Sequence, residues 1–372
     1  MAGGALRLSD RQRLSWLRLI RTDTVGPATF RDLINRYGPA DEALDALPEL
    51  TRSIGAKVPK IPTTGEAEAE MEAARRAGAR FVAVGEADYP ATLRGMDHPP
   101  PLLAVLGEPK VFTLPSVAIV GARNASLAGI RFARNIAGEL GSGGHAIVSG
   151  LARGIDRAAH EGALATGTVA VLAGGLDRPY PPENVELCAE IAHRGGAVVS
   201  EMPFGWEPRA RDFPRRNRII AGLSLGLLVV EAANRSGSLI SARLAGEMGR
   251  LVFAVPGSPL DPRAWGTNKL LKEGALLVTE ASDVVSEIAP LVGRPLPVRP
   301  LEEPPDLYAT PPPGDSERAL ILEALGPTPT AIDEIIRHTG LHPAQVYLVI
   351  LELDLAGRIE RHAGGAVSLL YV

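Results

Sequence analysis

The spacing of apolar positions changes along this chain, and each change marks a different kind of structure. Over residues 1–62 apolar side chains recur at helical spacing in LSWLRLIRT, FRDLINRYG and ADEALDALPELTRSIG. Gly38 and Gly55 close the second and third of these as glycine C-caps do. The join Thr24-Val25-Gly26-Pro27 resembles the hairpin of a helix-hairpin-helix, whose backbone amides meet a phosphate. A plain small helical bundle is the simpler reading of the same pattern.

Over residues 63–290 short β-branched runs alternate with Ala-rich helical stretches. The strand candidates are 80–84, 116–120, 146–148, 169–172, 197–200, 225–230, 251–255 and 275–278, with helices expected over 128–140, 154–165, 184–193, 238–248 and 267–273. Most of these strands are apolar throughout, which means that both faces are covered. The pattern predicts an α/β fold, an extended Rossmann-type, doubly wound and mainly parallel sheet. Residues 291–315 are proline-rich and aperiodic, an extended linker. Residues 316–372 read as three helices and a Gly-turned hairpin, a winged helix. The expected domains are therefore 1–62, 63–290 and 316–372.

Composition narrows the function classes. The 372 residues are 45% hydrophobic and 22% charged, ordinary for a globular protein with a sizeable core. Cys188 is the only cysteine, which excludes an internal disulfide and a CxxC metal knuckle and suits a reducing cytoplasm. There is no apolar run of about 18 residues to span a membrane, and no basic segment with an apolar run behind it to act as a secretory signal. A formal net charge of -4 argues against coating DNA by bulk charge, so any nucleic-acid site must be a focused patch.

Such a patch exists at Gly205–Ile220, GWEPRARDFPRRNRII. It packs Arg209, Arg211, Arg215, Arg216 and Arg218 beside Trp206 and Phe213. Guanidinium forks grip phosphates and aromatic faces stack on bases. The competing reading is a solvated arginine loop.

The strand ends carry the remaining signal. They are followed by Gly121-Ala122-Arg123-Asn124-Ala125-Ser126, by Ser149-Gly150, by Gly174-Gly175, by Glu201, by the Ser236-Gly237-Ser238 loop and by Pro256-Gly257. In a parallel sheet all six fall on one edge, where helices begin and free amides and helix dipoles favour anions. A nicotinamide site is unlike this pattern, because GxGxxG and the acidic end of the second strand are missing. The P-loop GxxxxGK[ST] is absent, and His160-Glu161 lacks the second histidine of HExxH. Asp156 and His160 share a helix face, where a structural hydrogen bond or a helix N-terminal charge is the expected role. Glu231 is expected to order the loop before Ser236, and Tyr180 and Trp265 to be core or rim residues.

The succession VAIVGAR (117–123), SGLARGID (149–156), GGLDRPYPPEN (174–184), FPRRNRIIAGLS (213–224), SGSLISA (236–242) and GTNKLLKEGA (266–275) closely resembles the DNA-processing protein A (DprA/Smf) family. The helical front and the winged-helix tail resemble accessory domains of its longer members. The resemblance implies a non-catalytic protein without cofactor or metal. It would bind single-stranded DNA without sequence specificity, protect it, and load RecA recombinase onto it in natural transformation. It would act in the cytoplasm as a homodimer through the Rossmann-type domain.

Carried onto this chain, the DNA site would comprise Gly121, Arg123, Ser126, Ser149, Gly150, Arg211, Phe213, Arg215, Arg216, Asn217, Arg218, Ser236, Gly237 and Ser238. Arg123 and Arg216, expected to be exposed, would clamp phosphates. Phe213 would stack on a base, and the Ser–Gly turns would offer amides.

The tail departs from a DNA reader. Its recognition helix, 342–353, has no lysine or arginine, and residues 316–372 hold four arginines against seven carboxylates. It is expected to dock protein, to self-associate or to do little. Two other readings of the whole chain remain: a nucleotide N-glycosidic hydrolase of the lysine-decarboxylase-like Rossmann type with Glu231 as base, which lacks its PGGxGT motif here, and a scaffold without ligand.

Overall fold

The computed structural model describes residues 7–53, 55–293 and 312–370. The chain divides into two compact units. One holds residues 70–96 and the chain from 103 into the proline-rich stretch, and the other joins 8–69 and 97–102 to the C-terminal part. The linker expected over 291–315 lies mostly, at 294–311, outside the described residues.

The first unit is built on nine strands: β1 (Ala79–Ala83), β2 (Leu102–Gly107), β3 (Ser116–Val120), β4 (Ala146–Ser149), β5 (Thr168–Val171), β6 (Ala197–Ser200), β7 (Gly226–Val229), β8 (Leu251–Ala254) and β9 (Leu276–Leu277). Their order is β1-β2-β6-β5-β4-β3-β7-β8-β9. From β6 to β9 neighbouring strands run parallel, and β2 runs antiparallel to β6. Side chains alternate across the sheet, and both faces are dry. Val117 and Ile119 of β3 pack with Ile136, Leu140 and Phe253 on one side, and Ala118 and Val120 pack with Ile219, Ile220 and Leu227 on the other. That two-sided cover is why the strands read as unbroken apolar runs.

Two elements depart from expectation. Strand β2 was not anticipated, since the prolines at 99–101 and 109 give Leu102–Gly107 the look of a loop. The arginine segment is not all loop either: after the turns of 205–211, Asp212–Leu223 is a twelve-residue helix that carries Arg215, Arg216 and Arg218. Its Pro214 falls in the first turn, where a missing N–H is harmless.

Chain order reverses at β3. Strands β4, β5 and β6 lie to one side of it, and β7, β8 and β9 to the other. The crossover connections therefore leave in opposite directions, and a crevice opens beyond the carboxyl ends of β3 and β7.

The second unit combines the helical front with the winged helix. Helix Asp10–Arg21 starts with a capping box between Ser9 and Gln12. Helix Pro27–Tyr37 stops at Gly38, whose φ of +74° suits glycine. Helix Ala40–Ser53 follows, and helix Thr64–Arg76, which starts just past the expected boundary at 62, is divided between the two units at residue 70. The winged helix has helices Asp315–Glu323, Ile332–Thr339 and Pro343–Leu355, and strands β10 (Thr330–Ala331), β11 (Ile359–His362) and β12 (Ala366–Leu369), paired antiparallel in the order β10-β12-β11. Ile321, Ile335, Val346, Val349 and Ile350 form its core. Among the described residues, no helix is long and apolar enough to cross a membrane.

Candidate nucleic-acid interface

A cleft of about 910 Å³ lies at the switch point. The turn after β3 supplies Gly121, Ala122, Arg123 and Asn124. The turn after β7 supplies Ala233, Arg235, Ser236, Gly237 and Ser238, and the arginine helix supplies Phe213, Arg216 and Asn217. A smaller hollow of about 240 Å³ adjoins it, between Arg123, Gly150, Arg153, Tyr180 and Phe213.

Phe213 is the hub. The Arg123 guanidinium lies 5.3 Å from its ring centroid, that of Arg216 lies 5.9 Å away, and Tyr180 meets it edge-on at 5.8 Å. Arg123 is exposed. Its cation–π contact holds the guanidinium at the cleft mouth without consuming its hydrogen-bond donors.

Arg216, expected to be exposed, is 6% exposed. Its Nη1 donates to the Gly150 carbonyl at 2.5 Å and also to the Val171 carbonyl, and Nε donates to Asn217 Oδ1 at 3.3 Å. Burial pulls this guanidinium down to about 10, with the nearby Asp156 charge opposing the fall. Asp156 is itself buried. It accepts from the Gly150 and Ala152 amides, and burial raises its pKa despite Arg216. Arg216 and Asp156 thus brace the turn after β4 from beneath.

Ser149 and Gly150 belong to that brace, and their polar groups are engaged within the protein. The Ser149 hydroxyl donates to the Ile119 carbonyl at 2.6 Å and the residue is fully buried. Both backbone groups of Gly150 are used, and a Cβ there would come within 2.7 Å of the Arg216 guanidinium. Gly121 has the same kind of reason, since a Cβ would strike Ile155 at 2.6 Å.

Arg215 and Arg218 leave the cleft. Both pair with the buried carboxylate of Glu201, Arg215 through Nε at 3.0 Å. Arg211 is exposed at the start of its helix and does not line the cleft. Trp206 is held by its indole N–H to Asp212 at 2.9 Å and stacked by Arg209 at 4.6 Å.

Ser126 caps helix Leu127–Ser142 and gives both its amide (2.9 Å) and its hydroxyl (2.5 Å) to the Glu231 carboxylate. Glu231 was expected to order the Ser236 loop; it orders the turn after β3 instead. A Cβ on Gly129 would lie 2.7 Å from that carboxylate, so a glycine is needed there. Ser236 caps helix Gly237–Glu247 at the cleft, its Oγ 2.6 Å from that of Ser238. The first amides of that helix face the cleft with its positive dipole end.

Arg235 and Arg263 line the cleft without having been singled out in advance, and Tyr180, expected to be a core or rim residue, lines it too. Tyr180 is 46% exposed and shares the Phe213 platform. Its signal was present, an aromatic between the prolines of RPYPP. Arg235 is exposed on the Ser236 loop, and Arg263 is held by Asp261 through Nε and Nη2. Asp156 and His160 do not form an acid–base pair. His160 bonds Thr168 Oγ1 at 2.7 Å, and burial together with the Arg216 charge lowers its pKa to about 3.

A doubly wound sheet with an arginine- and aromatic-lined crevice at its switch point, accompanied by a helical front and a winged helix, defines a Rossmann-type protein of three modules. The chain belongs to the DNA-processing protein A family: the family model for DNA recombination-mediator protein A matches residues 80–289. The DprA-like N-terminal HHH domain matches residues 10–73, and the DprA winged helix domain matches 303–365. Protein Smf of Escherichia coli is 40% identical over 76% of this chain and 75% of its own. The X-ray structure of DNA processing protein A from Streptococcus pneumoniae superposes with a TM-score of 0.58 at 32% identity, covering 76% of this chain and 99% of that one. The DNA processing protein A of Helicobacter pylori, solved for its single-stranded DNA binding mode, gives a TM-score of 0.52 at 30% identity over 56% and 96% of the two chains.

Proposed function

We propose that this protein binds single-stranded DNA without sequence specificity in the switch-point cleft and makes or breaks no bond there. The observation that carries the reading is the Arg123–Phe213 contact, a free guanidinium held 5.3 Å over an aromatic ring at the mouth of a cleft lined by helix-start amides. A phosphate takes the guanidinium and the amides, and a base stacks on Phe213 or Tyr180. None of these groups reads a base edge, so the binding is tolerant of sequence. Protection of the strand, its delivery to RecA recombinase during transformation, a homodimer through the Rossmann-type domain and action in the cytoplasm belong to the same proposal and rest on the family.

The test is fluorescence anisotropy of single-stranded and duplex oligonucleotides across a salt series. Preferential single-strand binding with a steep salt slope, abolished by Arg123→Glu, is the expected result. Equal affinity for both forms, or no effect of Arg123→Glu, overturns the reading.

A further inference from the structure

The recognition helix of the winged helix, Pro343–Leu355, carries two apolar stripes. One stripe, Val346, Val349, Ile350 and Leu353, fills the core of its own domain. A second stripe, Leu348, Leu351 and Leu355, is also buried and has no part in that core. Two buried apolar stripes on one helix call for two covers. Its second cover is the helical front, since helices Pro27–Tyr37 and Ala40–Ser53 pack against it.

A polar lock closes this seam. Arg361 of β11 reaches Asp32 of the front through Nη2 at 2.6 Å and Asp354 of its own domain through Nε at 2.9 Å. Thr29 of the front donates its hydroxyl to the same Asp354 Oδ2 at 2.7 Å. Asp32, Asp354 and Arg361 all have side chains no more than 20% exposed, so each one's charge depends on the others remaining in place. Bulk charge agrees: residues 8–62 carry nine basic and seven acidic side chains, residues 316–372 four and seven.

We propose that the winged helix is a protein-docking module whose partner is the helical front of the same chain, that the two form one cooperative unit locked by Arg361, and that its recognition helix does not enter a DNA groove. The surface that a DNA-reading winged helix presents to the major groove is here a leucine stripe spent on protein, and no lysine or arginine lies on that helix. The inference is independent of the cleft and of what binds there.

Hydrogen–deuterium exchange on the full chain tests it. In Arg361→Met, amides of the front helix Pro27–Tyr37 are expected to exchange about tenfold faster or more, together with those of Pro343–Leu355, because opening the lock releases both sides. Thr29→Val, a milder change on the opposite side of the seam, is expected to deprotect Pro343–Leu355 in the same direction. Exchange that rises only in the domain carrying the substitution overturns the proposal, and Thr29→Val decides it if Arg361→Met does not fold. A duplex footprint of the wild-type chain over Pro343–Leu355 in the same measurement also overturns it.

Discussion

Arg216 sits directly under Gly150: its guanidinium donates to the Gly150 carbonyl at 2.5 Å and fills the space that a Cβ on Gly150 would need. Only a glycine lets the turn after β4 close over a buried cation. Arg216→Ala strands the Gly150 and Val171 carbonyls and removes the charge beside Asp156. Breaking a buried charged arrangement costs about 3–5 kcal/mol. Urea unfolding of Arg216→Ala is expected to show a loss of that order. Wild-type stability with only DNA binding lost would make Arg216 a ligand contact after all.

Arg123 should behave in the opposite way. It is exposed and touches only the Phe213 ring among the contacts described, so Arg123→Ala should change stability by no more than about 0.5 kcal/mol. It should weaken single-strand binding and lower the salt slope by about 0.7, the effect of one lost phosphate contact. Phe213→Ala should cost about 1–3 kcal/mol of binding through lost stacking and leave the salt slope unchanged. Titrations at several salt concentrations separate the two effects.

That contrast marks what a sequence can reveal here. The parallel strands were legible because two-sided burial leaves unbroken apolar runs, and the winged helix because its turn glycines and helices follow local rules. The edge on which Gly121, Arg123 and the Ser236 loop meet followed from strand polarity. Which arginines face the cleft did not. Arg216 is buried by carbonyls 66 and 45 residues away, and Arg215 and Arg218 are turned aside by Glu201. No local pattern encodes such partners, and a charged side chain reads as surface by default. Strand order was hidden for the same reason, since β3 meets β7 only through pairing across more than 100 residues.

Glu201 yields a graded test of the arginine helix. Its carboxylate holds Arg215 and Arg218 away from the cleft-lining residues. Arg215→Glu should therefore weaken single-strand binding less than Arg123→Glu does, measured side by side at one salt concentration. Equal losses would place the path of the strand across the Glu201 side of the helix.

Glu231 separates binding from catalysis. Both of its carboxylate oxygens accept from Ser126, so the carboxylate is tied to the turn after β3 in a structural role. Glu231→Ala should lower stability by about 1–3 kcal/mol, because the Ser126 amide and hydroxyl lose their acceptor. Wild-type protein incubated with nucleoside monophosphates should release no free base. Release that disappears in Glu231→Gln would favour the hydrolase reading.

His160 gives the fold an acid-sensitive component. It is fully buried, and desolvation with the Arg216 charge brings its pKa to about 3, against about 6.5 in the unfolded chain. Between those values the unfolded state binds the extra proton, so protonation favours unfolding and stability rises with pH. The stability present above pH 6.5 is lost progressively as pH falls below it. Each pH unit in that window is worth about 1.4 kcal/mol, and pH 5 should cost about 2 kcal/mol from this one group. Urea unfolding at pH 7 and pH 5 should show that difference, and His160→Met, which removes the titrating ring, should shrink it by the same amount. An unchanged difference in His160→Met would assign the acid sensitivity to other groups.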